Sequence, residues 1–165
     1  CIERTFMKIL IVSDSHGRNH YLSRVLDKVG DIDLFLHLGD LEGSEDFIKT
    51  FVNCRIEMVS GNNDYFTEIP REKIITVGKY TIFMTHGHMY SVYYGTEKLK
   101  EAARARNADI VLYGHTHMPS IDQSDDVIAI NPGSITQPRQ PGRQPSFILM
   151  EIDSKGEAHF TINYV

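Results

Sequence analysis

Five short clusters of polar residues carry the chemistry in this sequence: Asp14-Ser15-His16, Gly39-Asp40, Gly61-Asn62-Asn63-Asp64, His86-Gly87-His88 and Gly114-His115-Thr116-His117. Their side chains are metal-ligand types, namely carboxylate, imidazole and amide oxygen, with no thiolate among them. Asp14 and His16 stand two residues apart, as do His115 and His117. In extended backbone both members of such a pair point the same way, as ligands of one centre or of adjacent metals must. One such pair, or one Gly-Asp turn, is ordinary in any chain. The joint occurrence is the signal, since five of the eight histidines (His16, His86, His88, His115 and His117) fall into three triplets. His20, His37 and His159 stand outside the clusters and read as capping or loop residues.

The segments before these clusters explain how they could meet. The β-branched apolar run at 9–12 predicts a strand covered on both faces. Leu22, Val25, Leu26 and Val29 recur at helical spacing, with Gly30 placed to end the helix. Further strands are predicted from residue 34 and over 55–59, with a short helix between them capped by Ser44 and burying Phe47, Ile48 and Phe51. Residues 73–77 and 81–84 read as a hairpin around Gly78-Lys79. Residues 96–107 read as a helix with Thr96 as its cap. Strands follow over 109–113 and 127–130, and a hairpin of 146–152 and 158–164 closes the chain. Residues 137–144, with Pro138, Pro141 and Gly142, read as a loop or flap. Each cluster therefore follows a strand, and open α/β sheets bind ligands beyond the carboxyl ends of their strands. Cys54 reads as a small buried apolar residue.

Composition narrows the setting. The 165 residues, 41% hydrophobic and 24% charged, are enough for one α/β domain over 7–165. Residues 1–6 read as an N-terminal extension or an expression remnant, since Met7 is a natural start. The net charge of -5 argues against extended nucleic acid as a partner but admits a small phosphorylated substrate. No apolar run approaches the ~20 residues that span a bilayer, so no membrane partner is expected. Two cysteines and no signal peptide point to the cytoplasm. The cluster Tyr90, Tyr93 and Tyr94 reads either as a substrate wall or as the interface of a homo-oligomer.

Taken in order, the five clusters resemble those of the calcineurin-like metallophosphoesterases. The chain length and Asn131-Pro132-Gly133-Ser134 are similar to the small bacterial and archaeal phosphodiesterases of the YfcE type. That resemblance implies a four-layer α-β-β-α sandwich with two mixed β-sheets. It also implies two divalent metal ions, one on Asp14, His16 and His117, the other on Asn62, His86 and His115, with Asp40 bridging both. Such N/O donors suit Mn, Ni, Fe or Zn. The implied reaction is hydrolysis of a small phosphoester, most readily a phosphodiester, by a metal-bridging hydroxide without a covalent enzyme intermediate. The alternatives are a phosphomonoesterase and a protein-binding scaffold of the same fold, as in the retromer subunit that resembles these enzymes.

One position departs from the pattern. Many relatives carry a His where this chain has Asn63, and that His is thought to protonate the leaving oxygen. An amide cannot act as an acid near neutral pH, which leaves His88 as the nearest candidate in sequence. Asp64 is expected to orient a ligand imidazole. Ser134, Arg139 and Arg143 are candidates to meet substrate phosphate.

Overall fold

A computed structural model of the chain describes residues 7–165; the expected extension over 1–6 lies outside the described residues. Ten strands form two five-stranded sheets. The first contains β1 (Met7–Val12), β2 (Leu34–His37), β3 (Arg55–Met58), β9 (Ser146–Ile152) and β10 (Ala158–Tyr164), in the order β10-β9-β1-β2-β3. The second contains β4 (Glu72–Val77), β5 (Tyr80–Thr85), β6 (Ile110–Leu112), β7 (Pro119–Asp122) and β8 (Ile128–Pro132), in the order β4-β5-β6-β8-β7. Both sheets are mixed: β1, β2 and β3 run parallel, as do β5, β6 and β8, and the outer pairs are antiparallel.

Three apolar cores separate four layers. Ile9 and Ile11 face the second sheet, packing with Leu34, Leu36, Ile82, Met84, Ile110 and Leu112. Their neighbours Leu10 and Val12 point to the other face, against Leu22, Val25 and Val29 of α1 (Asn19–Val29) and Ile48 of α2 (Glu45–Phe51). Phe83 and Val111 cover the outer face of the second sheet against Leu99 and Ala103 of α3 (Glu97–Ala105). A strand apolar on both faces thus sits between a sheet and a helix layer, the arrangement its uninterrupted hydrophobic run requires. This is the α-β-β-α sandwich. No helix among the described residues is long and apolar enough to cross a membrane.

Some local expectations need correction. Phe51 is 59% exposed: it is the last residue of the short α2, whose buried side chain is Ile48. Neither Ser44 nor Thr96 makes a side-chain cap bond; the Ser44 hydroxyl instead accepts a bond from Ser15 (3.0 Å). Cys54 is only partly buried. β7 is an additional strand at the edge of its sheet.

Candidate metal centre

Parallel strands in one sheet release their carboxyl ends at one edge. The loops after β1, β2 and β3 emerge there together, and backbone bonds splice them: Asp14 N–H to the Gly39 carbonyl (3.0 Å) and His16 N–H to the Asp40 carbonyl (2.9 Å). The loops after β5 and β6 emerge from the second sheet and are spliced likewise, Gly114 N–H to the His86 carbonyl (2.9 Å). Two bonds tie the sheets together at this point. His86 Nδ1 donates to the Leu38 carbonyl (2.7 Å), and His115 N–H donates to Asp14 Oδ2 (3.2 Å).

The donors converge. Asp14, His16, Asp40 and His117 each offer an atom within 4.8 Å of the others. His117 Nε2 stands 3.2 Å from Asp14 Oδ1 and 3.3 Å from His16 Nε2. His86 Nε2 lies 3.4 Å from Asp40 Oδ2 and 3.8 Å from Asp14 Oδ1, and His115 Nδ1 lies 3.2 Å from His86 Nε2. Asn62 is exposed and lines the same cavity of about 360 Å³. The route differs from the extended pairs expected from sequence. Asp14, His16, Asp40, His115 and His117 all have positive φ, between 48° and 71°, a left-handed backbone costly for non-glycine residues and common at functional sites. Sharp local turns, not strand alternation, aim these side chains inward.

Two glycines allow this crowding. Gly39, at φ 106°, has His86 Nδ1 at 2.7 Å from where a Cβ would stand. A Cβ on Gly61 would fall 2.2 Å from Asp40 Oδ1.

The protons are arranged for metal binding. A carbonyl or carboxylate can only accept, so His86 Nδ1, bonded to the Leu38 carbonyl, and His117 Nδ1, bonded to the Gln137 carbonyl (2.7 Å), carry hydrogen. His16 Nδ1 likewise donates to the Glu42 carboxylate. With that hydrogen on Nδ1, each ring turns its Nε2 inward, the atom a metal would take. At His86 burial is outweighed by Asp40 and Asp14, which raise the pKa, so a metal there would displace a proton. Asp14 Oδ2 accepts from Ser13 and His115, but its Oδ1 is buried with no hydrogen-bond partner among the described residues. A buried carboxylate oxygen left without a hydrogen bond among inward-turned imidazole Nε2 atoms is costly unless a cation fills the space. The residues therefore fit a divalent ion.

Charge follows the same pattern. Burial raises the pKa of Asp40, but the hydrogen bond and charge of His86, aided by Asn63, outweigh it and hold the carboxyl far below its ordinary range. At Asp14 burial is likewise outweighed, here by His117 and His86. Burial, then His86, depresses His115 to about 4. These carboxylates are ionised and this imidazole neutral near pH 7.

Several expected roles change. Asn63 donates to both oxygens of Asp40, from its backbone N–H (2.9 Å) and its side-chain amide (3.0 Å), so it is a clamp on the expected bridging ligand. Asp64 touches no imidazole; it accepts from Glu42 N–H and Gly61 N–H (2.8 Å each) and ties two donor loops together. Ser134 is buried, and its hydroxyl is spent on the Asp14 carbonyl (2.9 Å), which removes it from phosphate contact. Arg143 is exposed and does not line the cavity, whereas Arg139 does and donates to the Tyr93 hydroxyl (2.6 Å). Tyr93 forms a wall, its ring 5.0 Å from that of His115, while Tyr90 bonds Glu72 (2.5 Å) and Tyr94 is 95% exposed. His88 does not line the cavity; its ring stands 5.6 Å from His86 and 6.1 Å from His115. Burial, then the charges of His86 and Arg71, lower its pKa, which weakens the case for His88 as the leaving-group acid.

Three residues support the site in ways their positions in the sequence did not announce, although Asn131 belongs to the Asn131-Pro132-Gly133-Ser134 segment already singled out. Glu42 orients His16. His37 is fully buried: its Nδ1 accepts from Gly39 N–H (3.1 Å), so its Nε2 donates to Ser15 (2.9 Å), and burial drives it down to about 4. Asn131 holds the 114–117 loop through Thr116 (2.9 Å). Apart from Gly39, these side-chain partners lie 15 to 26 residues away, beyond any local pattern.

Comparison with known proteins identifies the family. A probable metallophosphoesterase of Methanothermobacter thermautotrophicus is 31% identical over 154 residues, covering 90% of this chain and 88% of its own. A phosphodiesterase of Methanocaldococcus jannaschii is 32% identical over 145 residues, covering 77% and 83%. A predicted phosphoesterase of Streptococcus pneumoniae superposes with a TM-score of 0.77 at 29% identity, covering 95% and 98%. Zinc-bound Vps29 of Entamoeba histolytica superposes with a TM-score of 0.73 at 25% identity, covering 96% and 99%. The family profile of the calcineurin-like phosphoesterase superfamily domain matches residues 7–155, and with donors and sheets of this kind the chain belongs to that superfamily.

Proposed function

We propose that residues 7–165 act as a single dinuclear metal-dependent phosphodiesterase domain, cytoplasmic, hydrolysing a small phosphodiester or nucleotide-like substrate. The observation that carries this reading is the convergence of inward-turned imidazole Nε2 atoms on the buried Asp14 Oδ1, which has no hydrogen-bond partner among the described residues. Asp14, His16 and His117 would hold one ion, Asn62, His86 and His115 the other, with Asp40 shared between them. Mn is the expected metal, with Ni, Fe and Zn as alternatives. When bound, such ions supply Lewis acidity toward a phosphoryl oxygen and lower the pKa of water.

The chain's own residues do the rest. Asn63 keeps both Asp40 oxygens aligned. Glu42 and the carbonyls of Leu38 and Gln137 keep three rings in the ligating tautomer. Arg139, on the Tyr93 wall, offers its charge to the phosphate. Neither Asn63 nor His88 supplies a proton to the departing oxygen, so esters with good leaving groups should react fastest.

The test is metal content followed by hydrolysis of bis(p-nitrophenyl) phosphate and p-nitrophenyl phosphate. Bound metal and a faster diester reaction are expected. Turnover of the monoester alone would convert the reading to a phosphomonoesterase. Failure to bind any of the four metals would remove the catalytic reading and leave the scaffold role, to which the likeness to Vps29 lends its weight.

A further inference from the structure

We propose that the cavity beside the metal centre is a subsite for one ester group of the substrate and selects a group bearing an organic cation, such as an ammonium alcohol; this rests on the phosphodiesterase reading above. The cavity has a volume of about 670 Å³ and is lined by residues 41–43, 45 and 63–69. It adjoins the space over the donors, since Glu42 and Asn63 line both. An ester arm of a phosphate seated at Asp40 would reach this neighbouring cavity past Glu42 and Asn63.

Two features define what that arm should be. The first is aromatic surface: Tyr65 is 75% and Phe66 110% exposed. Phe66 is held at φ 56°, a conformation bulky residues rarely adopt. Exposed rings at the edge of a cavity offer their faces to a cation or to apolar groups. The second is sign. Glu42, Glu45, Asp64 and Glu68 line the cavity, and no Lys, Arg or His does. Glu42 is bonded to His16 and Glu45 to Lys49 (2.6 Å), which offsets their charge. Asp64 accepts only neutral backbone N–H groups, and Glu68 makes no direct ion pair among the described residues, with Lys49 the cation within its electrostatic reach. An ester arm with a second phosphate or a carboxylate is repelled here, and a neutral arm gains only ring contact. An ammonium group gains from ring faces and carboxylates together. With Arg139 on the far side to meet the phosphoryl charge, the two cavities match a zwitterionic diester.

The experiment compares two esters on the metal-loaded protein: p-nitrophenyl phosphocholine, and p-nitrophenyl 3,3-dimethylbutyl phosphate, in which carbon replaces the charged nitrogen. The expected ratio of kcat/KM is about tenfold in favour of the cation. It should shrink toward one in Phe66→Ala and in Glu68→Gln. A binding titration of phosphocholine against 3,3-dimethylbutyl phosphate reads the same preference without turnover. Equal turnover with equal binding overturns the subsite while leaving the phosphodiesterase reading intact. Preferential binding of phosphocholine without hydrolysis of either ester upholds the subsite and removes the phosphodiesterase reading. Equal binding without hydrolysis removes both.

Discussion

Gly61→Ala isolates the steric demand of the metal centre, because Gly61 does not use a left-handed φ and alanine can adopt its backbone. In the unfolded chain the added methyl favours folding by about 0.4–1 kcal/mol. In the folded chain its Cβ would stand 2.2 Å from Asp40 Oδ1 and 2.5 Å from Asp40 N. The shortest common Cβ contact is 3.4 Å, so the carboxylate oxygen must retreat by 3.4 − 2.2 = 1.2 Å. It has nowhere easy to go. Asp40 is 2% exposed, and Asn63 binds both its oxygens. Gly61 itself is anchored by its N–H on Asp64. Overpacking of this kind costs about 1–3 kcal/mol, so the net loss of stability should be about 0–2.5 kcal/mol. The functional loss should be larger. Disturbing the support of a ligand typically costs 10–100-fold in metal affinity, and an error of about 1 Å at a reacting centre costs about 100-fold in rate. Calorimetric titration with Mn, melting of the metal-free protein and hydrolysis of bis(p-nitrophenyl) phosphate measure the three effects. Gly156→Ala is the control: its φ is 84° but nothing lies within 4 Å, so it should lose stability without losing metal. Wild-type Mn affinity and rate in Gly61→Ala would refute the argument that a crowded Asp40 organises the centre.

Removing the proposed shared ligand in Asp40→Ala should abolish activity and cut bound metal while the protein still melts cooperatively; an active variant would sink the bridging assignment. Exhaustive chelation should abolish hydrolysis and added Mn restore it, since the donors must be deprotonated to bind; an unchanged rate after chelation contradicts the metal mechanism. His37 supplies a pH test in metal-free protein. Its folded pKa, about 4, lies below the unfolded value of 6.5, so the stability tied to its neutral form is complete above pH 6.5 and drains away as the pH falls toward 4. Between pH 7 and 4.5 the wild type should lose about 2–3 kcal/mol more than His37→Gln; parallel denaturant curves would contradict the burial argument. A series of aryl and alkyl diesters should show rates falling steeply as leaving-group pKa rises, with His88→Ala leaving that slope unchanged. A flat series would mean that an acid is already in place.

Much of this protein could be read along the chain, for a simple reason. Periodicity is local, so 9–12, 34–36 and 146–152 announced strands, and Leu22, Val25 and Val29 a helix, wherever burial was strong. The donor clusters were legible because residue type and the strand-end position are both properties of sequence. β7 escaped because Pro119–Asp122 is an edge strand, half-buried throughout and opened by a residue without an N–H to donate. What no local pattern could state was the pairing of loops from two sheets. The two-sheet sandwich itself came from resemblance and not from periodicity. Asp64 was expected on an imidazole and instead ties loops together; Ser134 was expected on phosphate and is spent on the Asp14 carbonyl. Asn63 carries the plainest lesson. Its amide marked it as unable to donate a catalytic proton, which chemistry alone decides. Its grip on Asp40, 23 residues away, exists only because parallel strands bring their ends to one edge, where backbone turns and not residue spacing choose each side chain's partner.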